Sequence, residues 1–297
     1  MDRENINRKQ IQWFPGHMAR ARRILGENLK LVDIVLEIVD ARIPFSSRNP
    51  EIDRILGQKP RILLGNKRDL SDPNQNGFWK NYYAGKGIRM HYTDCRSGAG
   101  VKEVLSAIRE TMDEKFKRFA GAGRRPPVIR AMAVGIPNVG KSSLINRIVG
   151  RGAAGTGDRP GITRNKQWLR IREDIHLLDT PGLLWPKFED ERCAYRLAAT
   201  GAIKNDVLDV QDIALFLLRY ITEQYPGLME EKYGFSTEKM ADPADILLAC
   251  GRRRGCLAKG GAVDLLRAAN LVLDDFQSGK LGRITLDGPE LLNPAEQ

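Results

Sequence analysis

The chain of 297 residues is 42% hydrophobic and 29% charged, enough for about two domains of ~100–200 residues, each with an apolar core. Its longest apolar runs, such as 214–218, fall short of the ~18–20 residues of a membrane span; its first ten residues are polar rather than signal-like, and its four cysteines (Cys95, Cys193, Cys250, Cys256) show neither CxxC pairing nor metal-ligand spacing. These features exclude a membrane protein, a disulfide scaffold and a disordered chain, and predict a cytoplasmic protein with reduced thiols. A net charge of +11, with 38 of 48 basic but only 22 of 37 acidic residues in the first 205, points to a polyanionic partner, nucleic acid ahead of membrane.

Trp13 to Lys30 reads as a turn at Phe14–Gly16 and then a basic helix carrying Arg20, Arg22 and Arg23. Asp33 to Asp40 is a predicted strand, mostly β-branched or apolar, ending in Asp40-Ala-Arg42 ahead of Pro44. Arg61–Gly65 is a second strand, running into Asn66-Lys67-Arg68-Asp69, and Ile88–Tyr92 a third. Apolar residues at 101, 105, 108 and 112 predict a helix over Val101–Phe119. The basic stretch from Lys115 to Arg130 surrounds Gly121-Ala-Gly123 and Pro126-Pro127 and reads as a linker or exposed loop. Val128–Gly135 is a fourth strand, leading through a glycine-punctuated loop into a helix over Lys141–Val149; Gln167–Ile171 and Ile175–Asp179 form a predicted hairpin. Beyond Trp185 only helices are predicted, at Glu191–Gly201, Val207–Tyr225, Pro243–Cys250 and Val263–Ser278. The expected class is α/β over residues 1–185, followed by a smaller all-α domain over 186–297.

Gly135-Ile-Pro-Asn-Val-Gly140-Lys141-Ser142 fits the phosphate-loop pattern GxxxxGK[ST] between a predicted strand and a predicted helix. Here Asn138, Val139, Gly140, Lys141, Ser142 and Ser143 are the expected phosphate-binding residues. The glycines let backbone N–H groups turn inward at a helix N-terminus. Lys141 supplies a point charge to the β- and γ-phosphates, and the Ser142 hydroxyl suits Mg²⁺. Asn66-Lys67-Arg68-Asp69 fits NKxD. The Asp69 carboxylate can accept from guanine N1–H and its 2-amino group, Asn66 can serve the O6/N7 edge, and the Lys67 stem can pack on the ring. Alone the tetrapeptide is also a plausible polar turn. Asp179-Thr-Pro-Gly182 fits DxxG, with Asp179 holding Mg²⁺ through water and the Gly182 N–H sensing the γ-phosphate; Thr163 is the natural further metal ligand. Thr93-Asp94-Cys95-Arg96 either lines the base with backbone groups or makes an ordinary turn. Asn138 is either a ligand for K⁺ or a solvent-facing residue of its loop. His17, His91 and His176 are not at metal spacing.

The guanine motif here precedes the phosphate loop, Thr163 and DxxG, the reverse of an ordinary GTPase, so the chain resembles a circularly permuted one. With Trp13-Phe-Pro-Gly-His-Met18, Asp40-Ala-Arg-Ile-Pro44, Asp158-Arg-Pro-Gly-Ile-Thr163, Asp179-Thr-Pro-Gly-Leu-Leu-Trp-Pro186 and a Gly-Arg-Arg-Arg-Gly-Cys stretch starting at Gly251, it resembles the YlqF/RbgA family of ribosome-biogenesis GTPases over nearly its whole length. The resemblance implies a permuted P-loop GTPase domain with a mostly parallel sheet and helices on both faces. It implies GTP hydrolysis in large (50S) ribosomal subunit assembly, stimulated by the particle, with GTP/GDP, the subunit precursor and its rRNA as partners, no membrane, and a monomer. The alternative is a GTP-dependent RNA-binding or RNA-modifying factor not tied to that subunit. Leu183 and Leu184 follow DxxG where many GTPases place a water-orienting Gln; the resemblance assigns that task to His17, otherwise a packing residue beside Trp13. It implies Mg²⁺, and K⁺ as a candidate second cation. Cys95 departs from the small hydroxyl residue the resemblance leads one to expect. Candidate RNA contacts are Arg20, Arg22, Arg23, the 115–130 stretch, and Arg252–Arg254 with Lys259, each also readable as solvated surface.

Overall fold

A computed structural model describes residues 23–121, 127–150, 168–178, 191–203, 208–238 and 240–292. Its centre is a six-stranded sheet built from β1 (Ile34–Asp40), β2 (Arg61–Asn66), β3 (Arg89–Thr93), β4 (Ile129–Gly135), β5 (Trp168–Arg172) and β6 (Ile175–Leu178). The spatial order is β3-β2-β1-β4-β6-β5, parallel throughout except for the β5–β6 hairpin. All seven residues of β1 are buried, as expected of a central parallel strand covered on both faces. Of its two acids, Glu37 is matched by the Arg48 guanidinium at 2.8 Å, and Asp40 by Arg42 and Lys67.

Period-two alternation sorts the strand side chains between the two faces of the sheet. Ile34, Leu36 and Ile38 face a large core shared with α4 (Val101–Gly121) and α5 (Lys141–Val149). Val35 faces the helical segment α1 (23–29) and α2 (Ile52–Leu56), and Val39 faces α3 (Pro73–Gly85). Helices thus cover both faces of the sheet. The chain leaves β1 toward β2 and β3 on one side, whereas β4 opens the series β4-β6-β5 on the other. That reversal makes a crevice at the carboxyl ends of β1 and β4, where open α/β sheets bind ligands.

The sequence reading gave no element at α2, at α3, or at α8 (Leu228–Tyr233). Helix α3 has Pro73 in its first turn, three asparagines and a mid-helix glycine, Gly77, and its apolar periodicity is weak. What holds it is Asp72, whose carboxylate accepts from Asn74 N, and the burial of Asn76, Trp79 and Tyr83 on one face. The hairpin and the helix Lys141–Val149 lie where they were expected; residues 167 and 179, the expected ends of the hairpin, lie outside the described residues.

Helices α6 (Glu191–Ala199), α7 (Val210–Gln224), α8, α9 (Pro243–Arg253) and α10 (Leu265–Gln277) follow the sheet. Asp209, Asp242 and Asp264 cap the last three long ones by accepting from Gln211, Ala244 and Arg267 N–H groups. Their apolar faces join the same large core. Past α10 the chain returns to the sheet region. Ile284 N donates to Leu70 O and Leu286 N to Arg42 O. The buried Asp287 carboxylate accepts from Phe45 N, Ser46 N and Ser46 Oγ at 2.6–2.8 Å, while its carbonyl takes the Trp79 indole N–H at 2.9 Å.

Candidate nucleotide site

Register assembles the site. Asp40 on β1 pairs with Asn66 on β2, and Asn66 with Thr93 on β3, so three strand ends bring their last residues side by side. The phosphate loop leaves the end of β4 next to them. Asn66, anticipated at the guanine edge, is 2% exposed and lies between loops. Its Nδ2 donates to Val139 O at 2.8 Å. Its Oδ1 accepts from Cys95 Sγ at 2.9 Å and Thr93 Oγ1 at 3.3 Å. One amide therefore joins the base motif, the 93–96 turn and the phosphate loop.

The phosphate loop keeps close to β1. A Cβ on Gly135 would sit 2.5 Å from Ile38 O, and one on Gly140, which caps α5 at φ 89°, would run into the Asn66 amide nitrogen. Gly140 offers no side-chain cap to the N-terminus of α5, the end of a helix suited to receiving an anion. Val139 is fully buried, Lys141 is half-buried, and Ser142 and Ser143 are exposed on that turn. A hydroxyl at this place fits a hard oxygen-seeking cation. Asn138 is exposed and left-handed at φ 61°. Its Nδ2 donates to Gly201 O at 2.9 Å, so in this structure the amide engages the end of α6.

Asp69 lies in a short 3-10 turn, Arg68–Leu70, half-buried and 4.0 Å from Arg96. Lys67 precedes it in the left-handed region, its ammonium 2.8 Å from Asp40. Asp94 uses its carboxylate within its own turn, accepting from Arg96 N, Ser97 N and Ser97 Oγ, which holds its pKa below the usual range despite burial. Arg147 on α5 donates to Ser97 O, fixing this turn against the phosphate-loop helix. Burial, with Asp94 adjacent, pushes the Cys95 thiol up to about 11, so it stays protonated and donates as a hydroxyl would.

His17, Thr163, Asp179 and Gly182 lie outside the described residues, as do Arg20 and Arg22. Among the described residues no cluster of three His, Cys, Asp or Glu forms a metal centre, and no helix is long and apolar enough to cross a membrane. Several basic candidates are tied down internally. Lys115 pairs with Asp33, Arg253 donates to Tyr233 O and Gly234 O, and Arg254 pairs with Asp275 at 2.6 Å. Arg252 and Lys259 are exposed. The linking role of Asn66 and the Asn138–Gly201 contact were missed by sequence reasoning; nothing short of the tertiary arrangement signals either.

The family described as 50S ribosome-binding GTPase matches residues 130–249, a span that opens on β4 and holds the phosphate loop but not the 66–69 motif. Over 280 residues the chain is 51% identical to ribosome biogenesis GTPase A of Priestia megaterium, covering 94% of this chain and 97% of that one. The protein of the same name from Thermotoga maritima is 31% identical, covering 97% and 98%. A solved GDP-bound YlqF structure superposes with a TM-score of 0.66 at 26% identity, covering 90% of this chain and all of that one.

Proposed function

The chain belongs to the ribosome biogenesis GTPase A family and is a GTP-hydrolysing assembly factor of the large ribosomal subunit; from that premise we propose how its residues divide the work. The observation that carries the reading is the Asn66 bridge: motifs that occur in reversed order along the chain meet at one site through a single buried amide. Asp69 reads the guanine edge, Lys67 flanks the ring, and the 94–95 turn backs the base. The N–H groups of residues 139–143 and the Lys141 ammonium receive the phosphates.

Ser142, Thr163 and Asp179 would hold Mg²⁺, which supplies charge neutralisation across the β- and γ-phosphate oxygens when bound. Gly182 senses the γ-phosphate, and Asn138 is the candidate ligand for K⁺. His17 orients the attacking water once the particle closes the site, since Leu183 cannot polarise it. Residues 1–185 form the GTPase unit, and 186–297 the helical unit that meets rRNA with the exposed basic side chains. The protein works in the cytoplasm as a monomer.

The test is the GTP hydrolysis rate of the full chain alone, with large subunits and with small subunits. Stimulation by large-subunit particles alone is expected. His17→Ala should lower that stimulated kcat by ~10²–10⁴-fold while GTP affinity holds. Equal rates under all three conditions would sink the particle-stimulated reading.

A further inference from the structure

Asp40-Ala-Arg42 is a sequence motif to which the nucleotide chemistry assigns no task. Asp40 is 1% exposed at the end of β1, in register with Asn66. Its Oδ1 accepts from Arg42 N and Arg42 Nε at 3.0 Å each, and its Oδ2 from Arg42 Nη2 at 2.8 Å. The same Oδ2 lies 2.8 Å from the Lys67 ammonium. An isolated carboxylate at this depth would be unstable, and two cations with four donor contacts make it tenable. Those contacts also fill its acceptor sites, so Asp40 is not available to a metal ion.

Lys67 is consequently fixed at both ends. Its backbone is left-handed, at φ 63° and ψ 38°, and its tip is anchored on a buried carboxylate. A free lysine samples many rotamers and loses that freedom when it packs on a ligand, whereas an anchored one has lost it before the ligand arrives. The anchor is itself held. Arg42 is 1% exposed, donates through Nη2 to Thr200 O at 3.2 Å, and lies 5.1 Å from the Phe276 ring centroid on α10.

We propose that Asp40 and Arg42 are positioning residues for base recognition: Asp40 pins the Lys67 ammonium so that its methylene stem forms a ready-made wall of the base pocket, and Arg42 holds Asp40 in place from a seat made by α6 and α10. The inference rests on the guanine-site reading of residues 66–69. It carries a definite consequence, that Asp40 matters to the nucleotide only through Lys67.

A double-mutant cycle in GDP affinity tests this on the full chain, by titration of a fluorescent GDP analogue with ADP as the control ligand. Asp40→Asn should weaken GDP binding ~10-fold, within the range of coupled neighbours. Lys67→Met should weaken it comparably, and the double variant should bind no worse than Lys67→Met alone. Additive losses, or wild-type affinity in Asp40→Asn, would overturn the positioning role. If Asp40→Asn does not fold, Arg42→Lys is the milder probe, because it keeps the charge but loses the two-pronged grip on Asp40. It should weaken GDP binding in the wild-type background and do nothing further in Lys67→Met; equal losses in both backgrounds count against the proposal. A wild-type chain that binds ADP as well as GDP would instead defeat the guanine-site reading itself.

Discussion

Asn66 and its neighbours show how little material holds the site together. The Asn66 carbonyl oxygen is served by one thiol and one longer hydroxyl contact, from Cys95 and Thr93. Cys95→Ser should therefore keep GDP affinity and stability, while Cys95→Val removes the better donor and should cost about 1 kcal/mol in a urea melt, with weaker GDP binding. Because burial holds the thiol up to about 11, alkylation of Cys95 by iodoacetamide should be slow at pH 8 and accelerate toward pH 11, followed by mass spectrometry. Fast labelling at pH 8 would contradict the burial. Gly140 is the second sensitive residue. An added methyl meets the Asn66 amide from a backbone at φ 89°, so Gly140→Ala should destabilise by ~1–3 kcal/mol and abolish nucleotide binding.

At the scale of elements, the C-terminal end of α6 is the junction between the sheet and the helices. A helix ends with carbonyls that have no partner inside it. Here three successive ones are taken by side chains from three places. Gln277 of α10 donates to Ala199 O at 2.9 Å, Arg42 to Thr200 O at 3.2 Å, and Asn138 of the phosphate loop to Gly201 O at 2.9 Å. The Arg42 charge also suits the negative end of the helix dipole. Gln277→Ala should cost about 1 kcal/mol of stability and leave GDP affinity alone. Asn138→Ala should speed amide hydrogen exchange over 199–203 in the nucleotide-free chain and remove any preference for K⁺ over Na⁺ in hydrolysis. Unchanged exchange would mean that the Asn138 contact does not restrain α6.

Over the whole molecule, two electrostatic consequences follow. Asp40, flanked by Arg42 and Lys67, has its carboxyl held well below the ordinary value of 3.8 although burial alone would raise it. A lowered folded value means stability that is full above pH ~4 and is lost as pH falls below it, because the unfolded chain takes up the proton first. Urea midpoints measured from pH 3 to 7 should show this acid limb, and it should flatten in Asp40→Asn; an equally steep limb in the variant would assign the acid sensitivity elsewhere. The +11 net charge makes the second consequence. Binding to large-subunit particles should weaken steeply with salt, log K falling linearly with log salt concentration as counterions are released. A flat salt dependence would argue for protein contacts over rRNA.

The sequence alone determined the elements whose cause is local. Strands β1, β2 and β4 are dense apolar runs, α5 begins where a glycine loop ends, and the phosphate-loop and base motifs are contiguous residues whose chemistry can be read without coordinates. Their reversed order was likewise a property of the chain. Helix α3 was not legible, because its weak periodicity is overridden by the burial of Trp79 and Tyr83 beneath the returning segment that carries Asp287. The partners of Asn66, Asn138 and Arg42 were decided by tertiary structure for a related reason. Val139, Gly201 and Thr200 lie 63 to 158 residues away from them, and the acceptors are backbone carbonyls, which carry no residue-type signature. Only the parallel register that sets Asp40, Asn66 and Thr93 abreast, and the packing of α6 against the crevice, brings those donors to their acceptors.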